Sequence, residues 1–199
     1  MLTFTNQGTY MVQNYLLEPI VNSLQNGGLI LFPTDTIWGI GCDATNPAAV
    51  NRLRQLRALP PERPLTVLAQ SIEQLKNYVV FIHPRVETLL QFHVRPLTII
   101  YDQAKNLPEQ AAATDGSIAF RIPKDNFCLE LLEEFGKPIV ATAACIGPAP
   151  HPGHFGEISS AVIESIDLVV KYRQMDKDMS EPSVIARIGE DEELIFIRE

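Results

Sequence analysis

The stretch Gly27–Ala44, GGLILFPTDTIWGIGCDA, decides how this chain is read. Its glycine pair suits a helix stop, because glycine tolerates the left-handed backbone that a stop requires. Leu29-Ile30-Leu31-Phe32 is a short unbroken apolar run between turn signals, the pattern of a strand buried on both faces. Pro33 ends it. Thr34, Asp35 and Thr36 then place three short oxygen-bearing side chains just past a strand end, where open α/β sheets place their ligands. Gly39 and Gly41 flank Ile40 and allow close backbone approach to a ligand or to a neighbouring strand. Thr34 to Trp38 is therefore expected to line the main cleft, and Leu29 to Phe32 to be the first central strand.

Outward from this stretch, helical and strand patterns alternate. Leu16, Leu17, Ile20, Val21 and Leu24 recur at helical spacing across 13–26. Asn46-Pro47 reads as an N-cap followed by a first-turn proline, with Val50, Leu53 and Leu56 as the buried stripe of a helix that stops before Pro60-Pro61. Arg52 and Arg54 are expected to face water, while Arg57 at the helix end reaches towards the Thr34 loop. Strands are expected at 63–68, 96–101, 117–122, 138–142 and 168–170, with two closing strands near 183–186 and 194–197. Ser71 with Gln74 forms a capping-box pattern, Pro84 opens a helix to Phe92, and Asp125 caps a helix that Gly136 ends. A further helix is expected around 160–165. Alternation throughout, without repeats, indicates one layered α/β domain.

At 199 residues, with 46% hydrophobic and 20% charged residues, the composition is that of an ordinary globular domain. No apolar run approaches the roughly 20 residues that a bilayer span needs. The first fifteen residues carry neither a basic region nor an apolar signal core, so a cytoplasmic protein is expected. Cys42, Cys128 and Cys145 are few and show no CxxC spacing, which points to reduced, buried thiols. A formal charge of −8 counts against coating nucleic acid by phosphate neutralisation. Yet Arg52, Arg54, Arg57 and Arg63, four of the 16 basic residues, fall within a dozen positions. They are either a phosphate-binding patch or a solvated helix face.

The first stretch resembles the PTDTVYGLGCDA signature of the YrdC-like family, the threonylcarbamoyl-AMP synthases and their relatives, with Trp38 where the family usually has Tyr. The likeness continues through RPLTVL, RPLTII, FRIP, PIVAT and PSVI, covering 13–199 and leaving 1–12 as an N-terminal extension. It implies a single-domain YrdC-like fold: α/β, with a twisted mixed parallel and antiparallel sheet, flanking helices and a concave cleft. It also implies a nucleotide (ATP or AMP) and threonine as ligands, with Mg2+ accompanying ATP and no resident cofactor or metal. Members join threonine, bicarbonate and ATP into threonylcarbamoyl-adenylate for tRNA modification, so tRNA or double-stranded RNA is a further candidate partner.

The resemblance carries substrate- or nucleotide-binding positions onto Thr34, Thr36, Trp38, Arg57, Arg63, Thr98, Arg121, Thr142, Ser183 and Arg198. Trp38 is expected to be a cleft wall rather than a base-stacking platform. Capping and surface roles are the plain alternatives for Thr98, Ser183 and Arg121. Two motifs depart from the family. In its Lys-x-Arg pair Arg57 stands for Lys and Leu59 for Arg, and in its Ser-x-Asn motif Ala143 stands for Ser and Cys145 for Asn. Arg95 replaces a glycine, either blocking the cleft or restoring a charge to it. The expectation is a nucleotide-binding relative, with RNA as a second candidate ligand, of impaired or altered activity; the alternative is an active synthase whose site is rebuilt on Arg57, Arg63 and Arg95. His151, His154 and Cys145 together lack the fourth ligand that a structural zinc site needs.

Overall fold

In the structure, a computed structural model that describes residues 16–147, 149–177 and 181–198, one mixed sheet of nine strands organises the chain. The opening helix α1 (Glu18–Gln25) leads into β1 (Ile30–Phe32) and β2 (Gly39–Asp43). Next come α2 (Pro47–Leu56), β3 (Thr66–Leu68), α3 (Ile72–Lys76), α4 (Pro84–Phe92) and β4 (Leu97–Tyr101). After these lie β5 (Ile118–Arg121), α5 (Asn126–Phe135), β6 (Ile139–Ala143), α6 (Ser160–Glu164), β7 (Leu168–Val169), β8 (Val184–Ile188) and β9 (Leu194–Arg198). The strand order is β7-β1-β2-β6-β3-β5-β4-β8-β9. Pairs β1/β7, β3/β5 and β4/β8 are parallel, and the other five are antiparallel.

The N-terminal extension and positions 13–15 of the expected first helix lie outside the described residues. Elsewhere the local signals act as their chemistry dictates. The Asn46 side chain accepts from the amides of Ala48 and Ala49 at 3.0 and 3.1 Å. Asp125 accepts from the Cys128 amide at 2.7 Å, and Gly136 ends that helix at φ +73°. Ser71 accepts from the Gln74 amide, while the Gln74 side chain accepts from the amide of Gln70. The strand expected from Arg63 begins only at Thr66, because Pro64 has no N–H for the ladder. That release leaves Arg63 free to turn towards the concave face.

One expectation about the first stretch is corrected. The strand β1 is not central: it is second from one edge, and β3 holds the middle position. Residues 39–43 are a strand, concealed in the sequence by their glycines. The glycines serve the neighbouring strand. A Cβ on Gly41 would lie 2.6 Å from the Phe32 ring and 2.8 Å from the carbonyl oxygen of Val140, so β2 can be flanked closely by β1 and β6 only without one.

The apolar run of β1 is unbroken because helices cover it on both sides. Leu29 and Leu31 belong to a core with Val50 and Leu53 of α2 and Phe120 of β5. Ile30 and Phe32 point the other way, into a second core with Leu24 of α1 and Leu131 of α5. The first core runs beneath much of the sheet and takes in Val140, Val67, Ile99 and Ala186. The second is smaller and draws its strand residues from the β1, β6 and β3 side. Beyond α1 and α5, the face carrying Thr66, Arg121 and Ile185 is therefore uncovered and forms a concave cleft.

Gly41→Ala is expected to destabilise the fold by about 1–3 kcal/mol, since its methyl meets backbone as well as a ring and cannot be accommodated by a side-chain rotation. Urea unfolding of the variant against the parent protein measures this directly.

Candidate anion-binding site

The cleft encloses about 280 Å³ and is lined from strand ends and the loops after them. Its floor is the Thr34–Thr36 loop. The Thr34 hydroxyl gives its single proton to the carbonyl of Ile37 at 2.8 Å, so across the 2.9 Å contact between the two hydroxyls Thr36 must donate to Thr34. Arg121 in turn donates through Nη1 to the Thr36 hydroxyl. Its Nη2 faces Asp35 Oδ1 at 3.4 Å, and the other Asp35 oxygen accepts from the Lys124 amide at 3.0 Å. Behind the loop, Arg173 donates to the carbonyl of Thr34 at 3.2 Å. No local signal marks Arg173, because the contact spans 139 residues of chain.

Among the described residues four arginines line the cleft, Arg57, Arg63, Arg121 and Arg198, and no Asp or Glu does. On a chain of net charge −8 this is a strong local reversal of sign. Their fields overlap. Burial first, and then the charges of Arg63 and Arg121, hold the Arg198 pKa below its ordinary value. Burial likewise lowers that of Arg57, offset by Cys145, with Arg63 adding repulsion. Arg57 Nε, Arg121 Nε and the Thr142 hydroxyl are buried without a partner among the described residues. A site with spare donors and excess positive charge suits an oxyanion.

Arg57 is only 6% exposed. Its Nη1 donates to the carbonyl and the sulfur of Cys145, the latter at 3.0 Å, and more weakly to the carbonyl of Gly147 at 3.4 Å. One edge of this guanidinium thus clamps the loop after β6, while Nε remains uncommitted. Arg198 is anchored by Nε and Nη2 on the carbonyl of Ser183, at 3.0 and 2.7 Å. Leu59, Ala143 and Cys145 all line the cleft, so one wall has little hydrogen-bonding capacity.

Three expected positions are placed differently. Trp38 does not line the main cleft; it is core, 5% exposed, with its ring centroid 4.9 Å from that of Phe155, and it borders a small separate recess with His154 and Arg173. Thr98 lies one layer behind the cleft, sharing a 2.7 Å hydrogen bond with the Ser183 hydroxyl. Arg95 is not among the cleft-lining residues. His151, considered only as a metal ligand, does line it. His154 instead faces Glu157 at 3.5 Å, and among the described residues no three His, Cys, Asp or Glu side chains gather to hold a metal.

Arg54 is a further correction. It does not face water: it is 9% exposed and donates to the carbonyls of Gln110, Pro60, Arg63 and Ala112 at 2.5 to 3.0 Å. It thereby fixes the segment that presents Arg63. Arg52 is exposed as expected, paired with Asp167 at 2.6 Å.

The model of the Sua5/YciO/YrdC family, described as telomere recombination, matches residues 22–199. The chain belongs to this family. A threonylcarbamoyl-AMP synthase of Enterobacter sp. (strain 638) is 32% identical over 146 residues, covering 70% of this chain and 77% of that one. P. abyssi Sua5 complexed with L-threonine superposes with a TM-score of 0.78 at 25% identity, over 92% of this chain and 53% of that one. This Sua5/YciO/YrdC chain thus spans about half the length of the P. abyssi protein. E. coli YciO gives a TM-score of 0.79 at 22% identity, over 92% and 88% of the two chains. The expected YrdC-like fold is the one observed. Among the described residues no helix is long and apolar enough to cross a membrane.

Arg54→Met is expected to cost about 3 kcal/mol or more, because several carbonyls lose charge-assisted partners each worth roughly 1.5 kcal/mol or more. Arg52→Met, breaking an exposed pair, is expected to cost under about 1 kcal/mol. Denaturant midpoints of the two variants make the comparison.

His93 supplies a pH dependence. It caps α4, with Nδ1 3.1 Å from the carbonyls of Leu89 and Leu90, and Nε2 is buried without a partner among the described residues. Burial, then the Lys124 charge, pushes its pKa below the ordinary 6.5. The unfolded chain therefore binds the proton more readily, and stability falls as pH drops below about 6.5. Between pH 7.5 and 5.5 the parent protein should lose stability relative to His93→Asn, measured by urea unfolding at both pH values.

Proposed function

We propose that the cleft binds a nucleotide (ATP or AMP) by its phosphates together with a small carboxylate such as threonine, in a site related to that of the threonylcarbamoyl-AMP synthases but altered in its chemistry. One observation carries this reading: among the described residues four arginines and no carboxylate line the cleft, and Arg57 Nε, Arg121 Nε and the Thr142 hydroxyl have no partner. Charge-assisted hydrogen bonds to phosphate or carboxylate would satisfy all of them. Forming an adenylate from an amino-acid-derived carbamate requires two anions to meet at the α-phosphate, and converging guanidiniums offset their repulsion.

The alteration lies beside Arg57. Leu59, Ala143 and Cys145 offer no strong donor there, and one edge of Arg57 is committed to its own loop. Losing a donor at a developing charge costs on the order of a hundredfold in rate. The site is therefore read as binding ligand with impaired or changed turnover. A rebuilt synthase site would have to rest on Arg57, Arg63, Arg121 and Arg198, since Arg95 stands outside the cleft. With no carboxylate in the lining among the described residues, those residues do not fit a resident metal; Mg2+ belongs to this reading only as a companion of the nucleotide phosphates. Cytoplasmic location and a role in tRNA modification follow from the same kinship, with tRNA or double-stranded RNA as candidate partners.

Calorimetry with Mg-ATP, with and without threonine, tests the reading, alongside pyrophosphate release in the presence of ATP, threonine and bicarbonate. Weak ATP binding with little pyrophosphate is expected. Arg63→Ala should reduce ATP affinity about tenfold with an almost unchanged melting temperature, whereas Arg52→Ala should leave affinity unaltered. No heat of binding would end the nucleotide reading, and rapid threonine-dependent pyrophosphate release would establish the rebuilt synthase instead.

A further inference from the structure

The three cysteines sit in unlike environments. Cys42 is fully buried in the sheet, and burial, aided by neighbouring Asp43, pushes its pKa far up. Cys128 is buried at the start of α5, where burial and then Asp125 act in the same direction. Both are held as neutral thiols, which are poor nucleophiles. Cys145 differs. Its residue is buried too, 7% exposed, but it lines the open cleft, and its sulfur accepts from Arg57 Nη1 at 3.0 Å. A guanidinium against sulfur in a solvent-connected, electropositive cavity is the setting in which thiols react. The cavity also points to a small anionic visitor independently of the cysteine. Arg57, 6% exposed, lines it, and among the described residues neither its Nε nor the Thr142 hydroxyl, three residues before Cys145, has a partner.

We propose that Cys145 is a hydroperoxide-reactive modification site on the wall of the anion cleft. The sulfur attacks one oxygen of the hydroperoxide ROOH; an S–O bond forms as the O–O bond breaks. The leaving RO⁻ departs with the electron pair and takes up the proton given up by the thiol, so the products are a sulfenic acid and ROH. Sulfur is oxidised and the peroxide reduced by the same electron pair. Arg57 holds the sulfur before the step and, through its uncommitted Nε, can take the developing charge on oxygen. A thiol reductant reverses the change: one thiol condenses with the sulfenic acid to a mixed disulfide and water, and a second thiol releases Cys145. An oxidised Cys145 competes for the guanidinium that the cleft offers to an anion. This last consequence rests on the nucleotide reading; the chemistry at sulfur does not.

The test treats the folded full chain with hydrogen peroxide, traps sulfenic acid with dimedone and locates adducts by mass spectrometry. Cys145 is expected to label at least about tenfold faster than Cys42 or Cys128, and Arg57→Gln to slow it about tenfold while peroxide consumption by an unfolded control is unchanged. Equal labelling of all three cysteines, or labelling of Cys42 or Cys128 while Cys145 stays free, would overturn the proposal. So would an undiminished rate in a folded Arg57→Gln protein. Saturating Mg-ATP should protect Cys145; labelling that ignores ATP leaves the thiol site standing and counts against the nucleotide reading.

Discussion

A guanidinium on the inner face of a sheet has to be compensated, and Arg121 is compensated only in part. Its Nη1 is spent on Thr36 and its Nη2 on Asp35, but Nε has no partner among the described residues. The first two contacts tie β5 to the loop after β1, so the cleft floor is fixed by the same group that supplies part of its charge. The relay from Arg121 through Thr36 and Thr34 to the Ile37 carbonyl leaves neither hydroxyl free to rotate. Asp35 neutralises this arginine from behind, away from the lining, and the cleft itself keeps a positive sign.

Arg54 and Arg57, three residues apart on and just beyond α2, show how one basic cluster divides its work. Arg54 lies four residues after Val50, on the flank of the apolar stripe, and meets four carbonyls that a neutral side chain could not satisfy together. Arg57, at the helix end, reaches the loop after β6. The first holds the segment carrying Arg63, and the second holds the loop carrying Cys145. Stability and ligand recognition in this cleft are therefore supplied by the same residue type a single helical turn apart.

Three apolar or weakly polar residues of the lining share a location in three dimensions. Leu59, Ala143 and Cys145 are far apart in sequence, yet all border one cavity, next to Arg57. Arg57 Nη1 donates at once to the carbonyl and the sulfur of Cys145, and the planar guanidinium fixes the direction of both contacts. Arg57 with Cys145 is thus best understood as a coupled pair, with consequences for both anion recognition and thiol chemistry.

Much of the architecture was legible in the sequence because it depends on short-range rules. Asn46, Ser71, Asp125 and Gly136 set helix ends through contacts within a few residues. The unbroken Leu29–Phe32 run announced burial on two faces, and the alternation of Ile118, Ala119, Phe120 and Arg121 placed Arg121 opposite the core. The Thr34–Thr36 loop was recognisable from the family signature. The sequence could not show that Gly39 and Gly41 belong to a strand, since what demands glycine there is Phe32 on one neighbour and Val140 on another. Nor could it show that Arg54 enters a cage of carbonyls while Arg95 stays outside the cleft, or that Trp38 turns into the core against Phe155. Side-chain type and helical period determine which residues have a face to bury. Only the strand order decides what that face meets, because the Thr36 hydroxyl that Arg121 meets, the Cys145 carbonyl that Arg57 meets and the Thr34 carbonyl that Arg173 meets lie 85 or more residues away along the chain.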